Sequence, residues 1–134
     1  MRLVLDASVA VAAERIHETG HAAARERIVR VLSGLDEIVV PPIFQAEVSG
    51  ALARRGHDSA KIRAYVEALA AAPNQVRTFG PRASRFVADA AVRHKLRWAD
   101  ACHAWVALRE GLPLCTLDRE LADRGGCLCT IIGP

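Results

Sequence analysis

The sequence predicts an α/β fold with a largely parallel sheet covered by helices on both faces. Short apolar runs, typical of buried strands, alternate along the chain with longer segments of helical periodicity. Proline and glycine residues stand at the junctions between the two kinds of segment. Strands that alternate with helices are typical of parallel sheets, because each parallel connection needs a crossover.

Five strands and six helices, followed by a short helical turn, are predicted. The strands are Arg2–Leu5, Ile38–Val40, Gln75–Phe79, Leu112–Thr116 and Cys127–Ile132. The helices are Val9–Arg15 with Ser8 as its N-cap, His21–Leu32 closed by Gly34, Ile43–Arg54 after Pro41-Pro42, Ser59–Ala72 with Ser59 as its N-cap, Pro81–Lys95, and Ala99–Glu110 ended by Gly111. The helical turn follows Asp118, before Gly125-Gly126.

Length and composition indicate one ordinary globular domain over residues 1–134. Hydrophobic residues make up 51% of the chain and charged residues 25%. Nothing approaches the ~20 consecutive apolar residues that cross a bilayer, and the apolar run before Asp6 is too short for a signal-peptide core. We therefore expect a cytoplasmic protein with no membrane contact. Its four cysteines are expected to be reduced, and a zinc site with His103 is the weaker alternative.

The chain is mildly basic, with a net charge of +3, and all its basic residues but Lys61 and Lys95 are arginines. Guanidinium groups match the geometry of phosphates, and a basic surface attracts polyanions. A genome biased towards arginine and alanine codons would give the same counts. The charge alone therefore does not identify a nucleic-acid partner.

Two acids follow predicted buried strands at the point where each strand ends. Asp6 comes directly after the first strand, and Asp118 comes two residues after the strand at Leu112–Thr116. Ligands of open α/β sheets bind outside the carboxyl ends of the strands. Two acids brought there by separate strands predict a functional site.

Two further acids lie where the surrounding sequence is apolar. Glu47 shares a helix face with Phe44 and Val48, so its side chain is expected to point inward. Asp100 lies in the first turn of a helix, where an acid also complements the helix dipole. A shared site would account for all four acids at once.

Carboxylates gathered in one place need a counter-charge. Two of them about 4 Å apart repel by roughly 4 kcal/mol at an effective dielectric constant near 20. Oxygen ligands with few imidazoles favour Mg²⁺ or Mn²⁺ over zinc. Such a site is suited to cleaving a phosphodiester, because the metal polarises the phosphoryl oxygen and activates a bound water.

At these positions the chain resembles the PIN-domain ribonucleases, and its length and motif order are similar to VapC-type toxins of toxin–antitoxin pairs. The resemblance covers essentially the whole chain and rests on four ordered segments. They are Leu5-Asp6-Ala7-Ser8, Pro42-Ile43-Phe44-Gln45-Ala46-Glu47, Trp98-Ala99-Asp100-Ala101 and Leu114-Cys115-Thr116-Leu117-Asp118.

The resemblance implies an α/β/α sandwich and a metal-dependent endoribonuclease that acts as a homodimer and is inhibited by a cognate antitoxin. It implies Asp6 and Asp100 as the main Mg²⁺ ligands and Asp118 as a direct or water-mediated ligand. Glu47 would bind or orient the attacking water, while Ser8 and Thr116 would hold the carboxylates in place. A further family acid has Asp123 as its candidate, although a surface position suits Asp123 better.

Two other functions remain open at this stage. One is a Mg²⁺-dependent phosphatase or phosphoacceptor domain, against which Asp6-Ala7-Ser8 lacks a second acid two residues after the first. The other is a non-catalytic module for RNA binding or assembly.

Several residues near the acids allow two interpretations each. Core packing is favoured over base stacking for Trp98, and a structural role over general-acid chemistry for His103. Contact with phosphate and ordinary surface exposure are equally weighted for Arg97, Arg119 and Arg124.

Overall fold

The computed structural model describes residues 1–134 and contains a five-stranded sheet with seven helices. The strands lie in the order β3-β2-β1-β4-β5, and every neighbouring pair is parallel. The predicted fold class is therefore confirmed. In chain order the strands are β1 Arg2–Leu5, β2 Glu37–Val40, β3 Gln75–Val76, β4 Leu114–Cys115 and β5 Ile131–Ile132.

The helices form a layer on each side of the sheet. Apolar side chains of the first four pack on one face, and those of the last three pack on the other. The first layer comprises α1 Ala7–Ala13, α2 His21–Leu32, α3 Phe44–Ala53 and α4 Ser59–Ala70. The second comprises α5 Pro81–His94, α6 Trp98–Glu110 and α7 Arg119–Gly125. No helix combines the length and the apolar character that crossing a membrane requires.

The position of the central strand β1 explains why its sequence is a continuous apolar run and does not alternate between apolar and polar residues. Leu3 and Leu5 belong to the core under α1–α4, whereas Val4 belongs to the core under α5–α7. All three side chains are fully buried. A parallel strand with both faces covered needs apolar residues on both, and the continuous apolar run reflects this.

Three of the predicted strands are longer than the strands in the structure. The predicted Gln75–Phe79 and Leu112–Thr116 each shorten to two residues, and Cys127–Ile132 shortens to Ile131–Ile132. At β3, Phe79 leaves the ladder to pack edge-to-face against Trp105. Cys127 and Cys129 lie in the turn that follows α7, so they do not share a strand face.

Two predicted helix caps are also wrong. Ser8 lies inside α1, and its hydroxyl donates a hydrogen bond to the carboxylate of Asp6. The N-cap of α4 is Asp58, whose carboxylate accepts a hydrogen bond of 3.0 Å from the backbone N–H of Lys61. In both cases an aspartate takes the N-cap position, but only Asp58 caps its helix with the side chain, since the Asp6 carboxylate makes no capping bond.

A buried ion cluster at Asp36 ties the start of the chain to α2. The Asp36 carboxylate accepts hydrogen bonds from the Met1 amino group (2.6 Å), Arg27 (2.8 Å) and Arg30 (2.8 and 3.0 Å). Hydrogen bonding from Arg30 holds the pKa of Asp36 well below its usual value, and burial opposes the shift only in part. A depressed carboxyl pKa stabilises the folded chain above the unfolded-state pKa of about 4, and this contribution is lost as the pH falls below it.

We predict that Asp36→Asn lowers the free energy of unfolding by about 1–3 kcal/mol at neutral pH, because three cations lose their shared charged acceptor. The deficit relative to wild type should shrink progressively as the pH falls below about 4, because the Asp36 carboxyl takes up a proton in the unfolded chain there, whereas its depressed pKa keeps it charged in the folded chain. Urea denaturation at both pH values measures this. Asp89→Asn is the control, because Asp89 pairs with Arg93 on the exposed face of α5 and should matter by less than about 1 kcal/mol. Equal losses in the two variants would contradict the prediction.

Candidate functional site

The sheet order creates a crevice at the carboxyl ends of β1 and β4. From β1 the chain continues to β2 on one side, whereas β4 joins β1 on the other side. Where the chain leaves two neighbouring strands towards opposite sides of a sheet, the loops that follow these strands separate and leave a crevice between them. Asp6 directly follows β1, and the segment Thr116–Asp118 directly follows β4.

One cavity of approximately 670 Å³ contains the four acids that the sequence singled out. Helices supply Glu47 from α3 and Asp100 from the first turn of α6, whereas the segments after β1 and β4 supply Asp6 and Asp118. Asp6 and Asp100 are each only 5% exposed. Side chains far apart in sequence therefore lie around a single opening.

Hydroxyl groups hold the Asp6 carboxylate in place. Its Oδ2 accepts a hydrogen bond of 2.8 Å from the Thr116 hydroxyl and another from Ser8. The same hydroxyls accept hydrogen bonds from the backbone N–H groups of Asp118 (2.9 Å) and Leu117 (3.1 Å). Ser8 and Thr116 thus connect Asp6 to the segment after β4. The other oxygen of Asp6, Oδ1, accepts no hydrogen bond.

The two carboxylate oxygens of Asp118 have different roles: one caps a helix, and the other lies at the cavity. Its Oδ1 caps α7 by accepting hydrogen bonds from the backbone N–H groups of Glu120 (2.8 Å) and Leu121 (3.1 Å). Its Oδ2 accepts a hydrogen bond from Arg97. The capping interaction explains why the residue before α7 is an aspartate that can also face the site.

Arg97 is the cation of the site, and sequence reasoning did not assign it this place. Its guanidinium donates to both oxygens of Asp100, at 2.8 and 3.3 Å, and also to Asp118. These interactions, hydrogen bonding to Asp100 first, raise the pKa of Arg97 above its usual value. Burial nevertheless raises the pKa of Asp100, because it outweighs the favourable contact with Arg97.

Glu47 faces a buried histidine across the cavity floor. The Nδ1 of His103 lies 3.0 Å from the carbonyl oxygen of Ala99, and its Nε2 lies 3.8 Å from Oε2 of Glu47. Both Nε2 and Oε2 are buried and lack a hydrogen-bond partner. Burial raises the pKa of Glu47, and the negative charges of Asp6 and Asp100 raise it further. His103 is therefore part of the packed floor of the cavity.

As the side chains stand, no three His, Cys, Asp or Glu residues converge closely enough to hold a metal ion. Arg97 instead neutralises Asp100 and Asp118. The donor set still fits a hard divalent cation, because Asp6 and Glu47 line the cavity, Oδ1 of Asp6 accepts no hydrogen bond and the Glu47 carboxylate has no protein donor. Mg²⁺ keeps several waters and needs only one or two carboxylates, so it does not require a closed cage. Its binding to Asp100 or Asp118 would require Arg97 to withdraw.

The remaining residues near the acids differ from several expectations. Trp98 is 64% exposed and lines the cavity, so the preferred reading of core packing is wrong. Arg124 pairs with Glu120, whereas Arg119 and Asp123 are exposed outside the cavity lining. The expected buried thiols are found at two cysteines, where burial raises the pKa to about 11, namely Cys102 and Cys115.

A parallel α/β protein with acids gathered at the carboxyl edge of its sheet is the class that the fold and the site define. Within that class, the family model described as PIN domain matches residues 3–126. The chain belongs to the PIN-domain family. None of the curated protein sequences compared with the chain matches it.

Solved structures similar to this chain share its fold over nearly their whole length. The Pyrobaculum aerophilum protein PAE2754 is 25% identical, with a TM-score of 0.66, and the match covers 99% of this chain and 92% of that chain. VapC20 of Mycobacterium tuberculosis, described as a sarcin–ricin loop cleaving toxin, has a TM-score of 0.72 at 15% identity, with 93% and 94% covered. VapBC2 of Rickettsia felis, solved bound to a fragment of its promoter DNA, has a TM-score of 0.70 at 12% identity, with 100% and 99% covered.

We predict that Thr116→Val disorders the Asp6 carboxylate with little change in side-chain volume. The variant loses a donor to Asp6 and an acceptor for the Asp118 N–H, both in buried surroundings. Stability should fall by about 1–3 kcal/mol, measured by urea denaturation. Thr130→Val is the control, because Thr130 is exposed outside this cavity. Equal stability of the two variants would show that the hydroxyl does not hold the carboxylate.

Proposed function

We propose that this protein is a Mg²⁺-dependent endoribonuclease that hydrolyses RNA phosphodiester bonds, and that Mn²⁺ can replace Mg²⁺. The observation that carries the proposal is the convergence of Asp6, Glu47, Asp100 and Asp118 on one cavity of a PIN-domain fold. When bound, the metal would polarise a phosphoryl oxygen and lower the pKa of a coordinated water.

In this proposal each acid has a role that its surroundings support. Asp6 and Asp100 are the main metal ligands, and Asp118 contacts the metal directly or through water. Glu47 orients the attacking water, since its carboxylate lines the cavity and accepts no hydrogen bond from the protein. Ser8 and Thr116 hold Asp6 so that its unbonded Oδ1 faces the cavity. Arg97, once released from the carboxylates, would contact the negatively charged phosphate.

We further propose that the chain is the toxin of a toxin–antitoxin pair, acting in the cytoplasm as a homodimer with a cognate antitoxin as its inhibitor. The support is the shared fold with VapC20, which is described as a toxin, and with VapBC2. Exposed apolar residues at the end of α2 and in the following turn offer a surface for self-association, namely Val29, Leu32 and Leu35. The neighbouring gene tests this part of the proposal, because a short reading frame for an antitoxin should precede this one.

The environment of Asp6 disfavours the phosphatase alternative. The residue two positions later is Ser8, and its hydroxyl donates to the Asp6 carboxylate. A phosphoacceptor aspartate of the dehalogenase type would use a second acid at that position to transfer a proton. Ser8 is therefore better suited to positioning Asp6 than to acid catalysis.

We expect Mg²⁺ or Mn²⁺ to raise the melting temperature, because a ligand that binds only the folded state stabilises it by mass action. Asp6→Asn should abolish the metal-induced shift. Asp123→Asn should retain it, since Asp123 is an exposed acid outside the cavity lining. Thermal unfolding with increasing metal concentration measures all three proteins. A wild-type melting temperature that does not respond to metal would count against the site.

Asp100→Asn should reduce Mg²⁺-dependent cleavage of structured RNA by more than about 100-fold, which exceeds the usual effect of losing an outer-shell partner. A gel assay with purified protein, with and without EDTA, measures this. Asp89→Asn on the exposed face of α5 is the matched control and should cleave normally. Undiminished cleavage by Asp100→Asn would rule out the role assigned to Asp100.

A further inference from the structure

Trp98 is an exposed aromatic side chain in the wall of the acidic cavity. It is the first residue of α6, two positions before Asp100, and it is 64% exposed. The only other tryptophan, Trp105, is 8% exposed and packs edge-to-face against Phe79. A large aromatic face open to solvent beside polar groups offers a ligand an apolar surface on which a ring can stack.

Two arginines without carboxylate partners line the same cavity. Arg54 and Arg55 follow α3, are exposed, and form no ion pair with any acid. By contrast, most arginines in α2 and around β1 are paired with Asp or Glu. The cavity thus combines acids, two guanidinium groups without a carboxylate partner (Arg55 donates only to the Ala51 carbonyl oxygen, at 2.9 Å) and one open aromatic face.

We infer that Trp98 is a stacking platform for an unpaired nucleotide of the substrate and that Arg54 and Arg55 contact its flanking phosphates. This inference deepens the proposed function and rests on it for the identification of the acids as the cleavage site. Guanidinium groups recognise phosphates, and an indole face stacks on any base. The cavity volume of approximately 670 Å³ suits a nucleotide-sized ligand.

Stacking on Trp98 requires a base that is not already stacked in a helix. In double-stranded RNA both faces of a base are covered by its neighbours, and side chains cannot reach the bases through the narrow major groove. Bases in loops, bulges and single strands can turn outward and stack on an aromatic side chain. We therefore expect the base that stacks on Trp98 to belong to an unpaired nucleotide of the substrate.

Tryptophan fluorescence provides a direct binding test without activity. The probe is an unstructured RNA of about eight nucleotides, within the usual site sizes for single strands, added in EDTA so that it is not cleaved. The same RNA annealed to its complement, single-stranded DNA of the same sequence, and inorganic polyphosphate are the comparison ligands. We expect quenching by both single strands and none by the duplex or by polyphosphate.

The variants assign the signal to Trp98. Trp98→Phe should abolish quenching, since only buried Trp105 remains, but retain most of the affinity through its smaller ring. The affinity of the Trp98 variants is measured by the anisotropy of the same RNA carrying a fluorescent label, and Trp98→Ala should bind this single strand about 5- to 150-fold more weakly, the range expected for one lost base–aromatic stack. Phe86→Ala is the control, because Phe86 is a surface aromatic of α5 outside the cavity.

The arginines are tested by the salt dependence of binding. The Arg54→Ala/Arg55→Ala double variant should flatten the slope of log K against log salt by up to about 1.4, since each single-strand phosphate contact contributes about 0.7. Arg63→Ala/Arg82→Ala removes the same charge from exposed positions outside the cavity and should leave the slope unchanged.

Unchanged affinity in Trp98→Ala, or equal quenching by duplex and single strand, would overturn the inference. A finding that Trp98 contributes only to the binding of a protein partner would also overturn the inference. Cleavage assays in Mg²⁺ separate the two proposals. If the wild-type protein binds RNA through Trp98 but does not cleave it, the proposed function is contradicted and the stacking platform is not. Cleavage by Trp98→Ala with wild-type KM would contradict the stacking platform alone.

Discussion

Mutual repulsion among carboxylates is the constraint on which the site depends. Asp6, Glu47, Asp100 and Asp118 line one cavity, and two of them are almost fully buried. Such an arrangement requires either positive charge or protons nearby. Arg97 supplies the positive charge for Asp100 and Asp118, while burial raises the pKa of Glu47 and Asp100. Arg97 thus takes the place beside Asp100 and Asp118 that a divalent cation would occupy in the proposed function.

The fold provides the rigid frame that makes this repulsion tolerable. Asp6 and Asp118 directly follow buried parallel strands, and hydroxyl groups of Ser8 and Thr116 link the two segments. Asp118 also caps α7, so its position is fixed by the helix as well as by the sheet. Because hydrogen bonds hold the carboxylates of Asp6 and Asp118, these two acids cannot easily relieve their repulsion by moving apart.

The sequence was sufficient for the fold class and for the acids that share a cavity, because strand ends and helix faces follow from periodicity. It was insufficient for Arg97 and Trp98. A residue at the start of a helix can turn towards the site or the core, and no periodic pattern decides between them. The Asp36 cluster was missed because its cations come from Met1, Arg27 and Arg30, whose convergence depends on how α2 lies against β1. The short edge strands were overextended because apolar character alone does not show where pairing stops.

The most direct measurement of the central claim is the anomalous scattering of a crystal of the wild-type protein soaked in Mn²⁺. We predict a manganese peak among the oxygens of Asp6, Asp100 and Asp118, with the Arg97 guanidinium turned away from at least one of the last two. A cavity with no peak, in which Arg97 still bridges Asp100 and Asp118 at saturating Mn²⁺, would contradict the account.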